Sequence, residues 1–218
     1  PEVNIVTIED PIEMVFEDFN QVAVKPQIDV TFASALRTVL RQDPDIIMVG
    51  EIRDTETAEN AVQAALSGHL VLSTLHNNDA PSSLTRLLDL GVPHFLITST
   101  IIGIMAQRLV RENSSHCIEE YVPTTEEGAL LRMPMDKLQA YRFKRGRGCL
   151  HCRQTGYSGR VGVYEILSMS DRIRALVTAQ AGSPEIFKVA REEGLRTLRE
   201  AAVEKVFRGI TTTTEMAR

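Results

Sequence analysis

Three short apolar runs of the 218-residue sequence end in polar groups suited to a phosphate and a metal ion. The first, 3–8, closes on Glu9 and Asp10. The second, 46–49, closes on Gly50 and Glu51, with Arg53 and Asp54 just behind them. The third starts at His69 and ends in Ser73-Thr74-Leu75-His76. A carboxylate at the end of an apolar strand can hold Mg²⁺ through water or orient a water for attack on phosphorus. Gly50 beside it leaves room for a ligand to approach closely. Such termini also serve simply to meet solvent. Arg37 and Arg41, four apart in a helical pattern, share a face. They suit either a triphosphate, whose charge shifts on hydrolysis, or a solvated surface. A second chemistry lies in Cys149-Leu150-His151-Cys152, whose CxxC spacing suits a metal.

The elements that must position these groups alternate along the chain. A β-branched strand, 3–8, leads to a helix capped by Thr31 and running to about residue 41, with Phe32, Ala35, Leu36, Val39 and Leu40 at helical spacing. Asp43-Pro44-Asp45 breaks it, and a strand at 46–49, a helix at 55–66 and a strand at 69–75 follow. Helices are expected at 80–89 and 95–111. Strands this apolar, separated by helices, imply a mainly parallel sheet covered on both faces, with ligands beyond its carboxyl edge. Residues 112–160 hold all three cysteines and many glycines, prolines and charges without a long apolar period. They read as a small subdomain that needs a staple more than a core. A returning strand at 161–167 and helices at 171–180, 184–193 and 197–208 complete the third region, 161–218.

Composition narrows the classes further. The formal net charge is −5 and the isoelectric point about 5.6, which argues against a surface built to coat nucleic acid. Three cysteines, an odd number, cannot complete a disulfide framework. The longest apolar stretch, 95–106, falls short of the roughly 20 residues a spanning helix needs. A reduced, cytoplasmic protein is expected. Pro1 stands only two residues before an apparent core strand, which suggests a portion whose upstream part is missing.

Longer strings sharpen the picture. Leu40-Arg41-Gln42-Asp43-Pro44-Asp45-Ile46-Ile47-Met48-Val49-Gly50-Glu51-Ile52-Arg53-Asp54 closely resembles the Walker B region of the secretion and pilus-assembly ATPases. Val6-Thr7-Ile8-Glu9-Asp10-Pro11-Ile12-Glu13 is similar to their Asp box, and 68–76 to their His box. The likeness continues through 106–111, 156–160, 195–199 and 209–212, so it covers almost the whole chain.

The resemblance implies an incomplete RecA-like core over 1–111, a zinc-type subdomain over 112–160 and a helical closing region. It implies a hexameric ATPase that assembles pseudopili or pili, peripheral to the inner membrane, with a membrane platform and cytoplasmic adaptor proteins as partners. Glu51 then matches the acid that activates water, and Glu9, with Asp10, the acid near Mg²⁺ and ATP. His76 and His69 match phosphate-sensing or coupling positions, and Arg37 and Arg41 arginines that act across a subunit boundary. Details near 78–89 favour the type II secretion member over the pilus-extension member. A non-catalytic interaction module is the reading of another class.

Two departures qualify the match. The sequence contains no GxxxxGK[ST], the loop that cradles phosphates, so this chain by itself is expected to be inactive. Relatives carry two CxxC pairs, a tetrahedral zinc signature, whereas Ser114 stands where the first pair opens. Cys117, Cys149 and Cys152 are left to hold Zn²⁺ with His116, His151 or water as the fourth ligand, or else the subdomain holds by packing alone. Lys144, Arg145, Arg147, Arg153 and Arg160 form a basic cluster suited to anionic lipid or to solvent.

Overall fold

Alternation of Val6 and Ile8 with Thr7 and Glu9 gives the first strand one apolar and one polar side. In the computed structural model, which describes residues 3–217, that strand lies inside a four-stranded sheet. The strands are β1 (Ile5–Glu9), β2 (Asn20–Ala23), β3 (Ile46–Val49) and β4 (Leu70–Ser73), in the order β2-β1-β3-β4 and all parallel. Two helices cover one side, α1 (Phe32–Val39) and α2 (Thr55–Leu66). Val6, Ile8, Ile47 and Val49 pack there against Leu36 and Val39 of α1 and Ala61 and Ala64 of α2, all nearly sealed from solvent. Each buried Val, Ile or Leu contributes about 1.5–3 kcal/mol, against about 1 kcal/mol for a hydrogen bond. The packed layer, not the polar strand ends, therefore holds the platform rigid.

Caps set where the helices begin. Thr31 and Ser34 exchange side-chain and backbone bonds in a capping box, and Asp54 accepts from the Thr57 N–H at 2.8 Å. Both caps lie on the loops that leave the sheet's carboxyl edge, so both helix starts face the candidate site. Helices α3 (Ala80–Asp89) and α4 (His94–Thr100) follow in the same unit, which comprises 1–104 and 167–192. Helices Asp171–Thr178 and Ser183–Glu192 pack on α4 and α3 respectively.

Three expectations change. Strand β2, absent from the sequence reading, adds an edge beside β1. The sheet's second side is not fully covered: Leu70 and Leu72, paired with Ile46 and Met48, are 43% and 50% exposed. The expected helix at 95–111 ends at Thr100, and β5 (Gly103–Asn113) takes its place, pairing with β8 (Tyr157–Ser168). The β-branched residues at 97, 98 and 100–102 weaken the helix, and the backbone finds its partners in β8 instead.

The second unit comprises 105–166 and 193–218, where the sequence reading drew its lines at 111 and 160. Strands β6 (Ile118–Tyr121) and β7 (Phe143–Gly146) pair antiparallel around short helices α5 (Thr125–Leu131) and α6 (Met135–Leu138). Leu131, Leu138 and Phe143 share a core with Val206 and Phe207 of the helix Leu198–Phe207. The cysteine-bearing segment thus completes its apolar core with residues from the end of the chain.

Candidate functional site

The carboxyl ends of β1 and β3 lie side by side because Ile8 pairs with Val49, and the Gly50 N–H donates to the Ile8 carbonyl at 2.8 Å. That register sets Glu9 opposite Gly50, one residue from Glu51. Glu9 accepts on Oε1 from Thr7 Oγ1 at 2.5 Å and Gln21 Nε2 at 2.8 Å. Thr7 sits two residues back on the same face of β1, and Gln21 is its register partner on β2.

Glu51 is nearly buried and is anchored in the same one-sided way. His76 Nε2 donates to Oε2 at 3.1 Å and Arg53 Nε to that same oxygen at 2.5 Å. Among the described residues no donor meets Oε1. The strand ends are tied together behind it: Thr74 Oγ1 donates to the Gly50 carbonyl at 2.6 Å and the Ile52 N–H to the Thr74 carbonyl at 3.0 Å. The space a side chain at Gly50 would need is taken, since an added Cβ would stand 3.0 Å from the Ile8 carbonyl oxygen and 3.4 Å from the Phe32 ring. Asp10 lines a cleft of about 290 Å³ with Thr31, Phe32, Arg53, Asp54 and Glu56, at the small end of ligand pockets.

Other residues named from the sequence lie elsewhere. His69 precedes β4 and so stands at the amino edge of the sheet, opposite Glu51; its Nδ1 meets the Ala64 carbonyl at 2.9 Å and Ser67 Oγ at 3.0 Å, closing the end of α2. Arg41 is not on α1, which ends at Val39. It lies in a turn whose Gln42 and Asp43 carbonyls accept from Asn4 Nδ2 before β1, again at the amino edge. Arg37 is on α1, exposed and paired with Glu56 of α2, a surface pair of small energetic weight. Arg53 and Gln21 were not singled out as site residues. Their signals are an arginine two residues beyond the strand-end acid and a polar residue in a short run with little apolar character.

In the second unit the three thiols converge, with Sγ atoms all within 4.8 Å of one another. Cys117–Cys152 and Cys149–Cys152 are 3.8 and 3.7 Å apart. Tetrahedral zinc with Zn–S near 2.3 Å requires about 3.8 Å between sulfurs, so the donor set fits that ion. Burial pushes the Cys152 thiol up, but the N–H groups of Cys149 and Gly156 and the neighbouring thiols outweigh it and bring it down to about 6. Burial pushes the Cys117 thiol up, against the Gly148 N–H. His116 and His151 stack on each other at 4.3 Å, and neither ring nitrogen joins the cluster. In the basic cluster, Lys144 meets Glu120 at 3.7 Å and Arg145 meets Glu119 at 3.0 Å across β6 and β7.

A family model described as Type II/IV secretion system protein matches residues 1–218. The type IV pilus assembly ATPase TfpB of Acinetobacter baylyi is 48% identical over 217 residues, covering 100% of this chain and 37% of that protein. The type II secretion system protein E of Pseudomonas aeruginosa is 47% identical over 215 residues, covering 99% of this chain and 42% of that protein. The chain thus spans about two fifths of the length of these relatives. Among solved structures, the pilus retraction motor PilT with bound ADP aligns at a TM-score of 0.67 and 29% identity, over 98% of this chain and 51% of that one. The α/β, RecA-like class read from the strings agrees with that likeness. With motifs, parallel sheet and an end-to-end family match in accord, the chain belongs to the family of type II/IV secretion system proteins.

Proposed function

We propose that this chain is the water-activating part of a secretion motor that hydrolyses ATP to drive pseudopilus assembly. The observation that carries the reading is Glu51 at the carboxyl end of β3, held through Oε2 with no donor on Oε1 among the described residues, beside the strand that ends in Glu9. Oε1 accepts a hydrogen bond from a water and aligns it with the γ-phosphorus, while Arg53 and His76 keep the carboxylate from turning. Glu9 and Asp10 would hold Mg²⁺ through water, and the ion would supply positive charge to the phosphates. Arg37 leaves its weak pair with Glu56 to meet charge on a neighbouring subunit of a homo-hexamer. Cys117, Cys149 and Cys152 would hold Zn²⁺, which would staple the second unit. The motor works in the cytoplasm against an inner-membrane platform with adaptor proteins, and the basic cluster around Arg147, Arg153 and Arg160 meets anionic lipid. The 47% and 48% identities to a secretion and a pilus-assembly protein support pilus extension as a second reading.

No phosphate-cradling GxxxxGK[ST] lies in these 218 residues, so the chain alone is expected neither to bind ATP at micromolar concentration nor to hydrolyse it. Joined to the rest of the Acinetobacter baylyi relative, of which this chain covers 37%, it should hydrolyse ATP. Glu51→Gln should lower kcat by about 10²-fold or more, the range for loss of a general base. Undiminished turnover in that variant would refute the assignment.

A further inference from the structure

We propose that Ser114 supplies the fourth ligand of the zinc centre, making it an S₃O site; the inference rests on the reading that Cys117, Cys149 and Cys152 hold zinc. Ser114 and Cys117 occupy the ends of a four-residue turn, with the Cys117 N–H donating to the Ser114 carbonyl at 3.2 Å. Cys149 and Cys152 have the same spacing in the second turn, where the Cys149 N–H donates to Cys152 Sγ at 3.2 Å. Ser114 therefore holds in the first turn the place that Cys149 holds in the second. Its backbone is fixed by an N–H bond to the Gly156 carbonyl at 2.9 Å, and Gly156 in turn donates to Cys152 Sγ.

The hydroxyl itself is the second, independent observation. Ser114 is wholly buried, lies against the Cys117 thiol, and its Oγ has no hydrogen-bond partner of proper geometry. A buried hydroxyl without a well-formed partner is costly, a cost removed when Oγ faces a cation. The two histidines are stacked on each other and leave the position open. Charge favours the arrangement too. Three thiolates and a neutral hydroxyl around Zn²⁺ sum to −1 rather than the −2 of four thiolates, which lowers the cost of burial. The same substitution weakens the hold, because a hydroxyl is a poorer donor to zinc than a thiolate.

The test uses the 218-residue chain, titrated with zinc against a chromophoric chelator and with Co²⁺ as a spectroscopic probe. The wild type is expected to bind one ion with a tetrahedral cobalt spectrum and three thiolates' worth of charge-transfer intensity. Ser114→Cys should raise that intensity by about a third and tighten zinc at least tenfold. Ser114→Ala should loosen zinc by about tenfold and shift the cobalt bands, with backbone circular dichroism unchanged. Zinc bound with equal affinity and an identical cobalt spectrum in wild type and Ser114→Ala would overturn the role of Ser114 alone. Failure of the wild type to bind zinc at all would overturn the three-thiol reading beneath it.

Discussion

Glu51 shows how much one side chain depends on its holders. Both of its contacts fall on Oε2, so its orientation rests on Arg53 and His76, the first at 2.5 Å and the second at 3.1 Å. Under the proposed role of Glu51, Arg53 does not need to touch the attacking water to matter, since a carboxylate free to rotate would lose its alignment. In the chain joined to the rest of the Acinetobacter baylyi relative, Arg53→Gln should lower kcat about tenfold with little change in KM for ATP, a loss of about 1.4 kcal/mol in the transition state. A raised KM at constant kcat would instead place Arg53 on the nucleotide. Much of this was legible in the residues: an apolar run ending in an acid marks a strand terminus whatever surrounds it. The one-sided anchoring was not, because which oxygen a donor meets depends on loops that bring residues 51, 53 and 76 together. The motif resemblance grouped His69 with Glu51, although a strand that begins at His69 and another that ends at Glu51 in one parallel sheet already put the two at opposite edges.

At the level of elements, the second unit closes on a small polar knot. Glu127, at the third position of α5, accepts from the Thr124 N–H in a capping box and also from the hydroxyls of Tyr121 on β6 and Thr213 near the chain's end. Burial raises its pKa, yet these donors outweigh it and hold the carboxyl below the ordinary 4.5. A lowered folded value means that the unfolded chain binds the proton more readily. The knot therefore stabilises the fold fully above the unfolded value near 4.5, and that contribution is lost as pH falls through the lowered folded value. Glu127→Gln should accordingly reduce the urea midpoint at pH 7 and flatten its decline on the acid side. A variant with the wild-type pH slope would show that the knot contributes nothing. The capping pattern, Thr124 followed by Glu127, stands in the sequence. The partners do not: Tyr121 and Thr213 meet Glu127 only through tertiary folding. The same limit explains the 95–111 error, since apolar spacing over a few residues fits a helix or a strand until the partner β8 decides.

Over the whole molecule, each compact unit is assembled from two separate stretches, 1–104 with 167–192 and 105–166 with 193–218. The core of the second depends on that: Val206 is 1% exposed and packs with Phe143 and Leu138, which are distant in sequence. Removing residues 193–218 should therefore unfold the segment that holds the three cysteines, although none of them is deleted. Loss of near-ultraviolet circular dichroism and of stoichiometric zinc in the truncated chain would be the signs, and an unchanged spectrum would refute the dependence.

That doubled threading bears on how the gene can vary. Because 167–192 of the first unit runs between the two stretches of the second, a single crossover that brings in the whole thiol-bearing unit brings that stretch with it. Exchange of that unit by itself requires two blocks to be replaced together, 105–166 and 193–218.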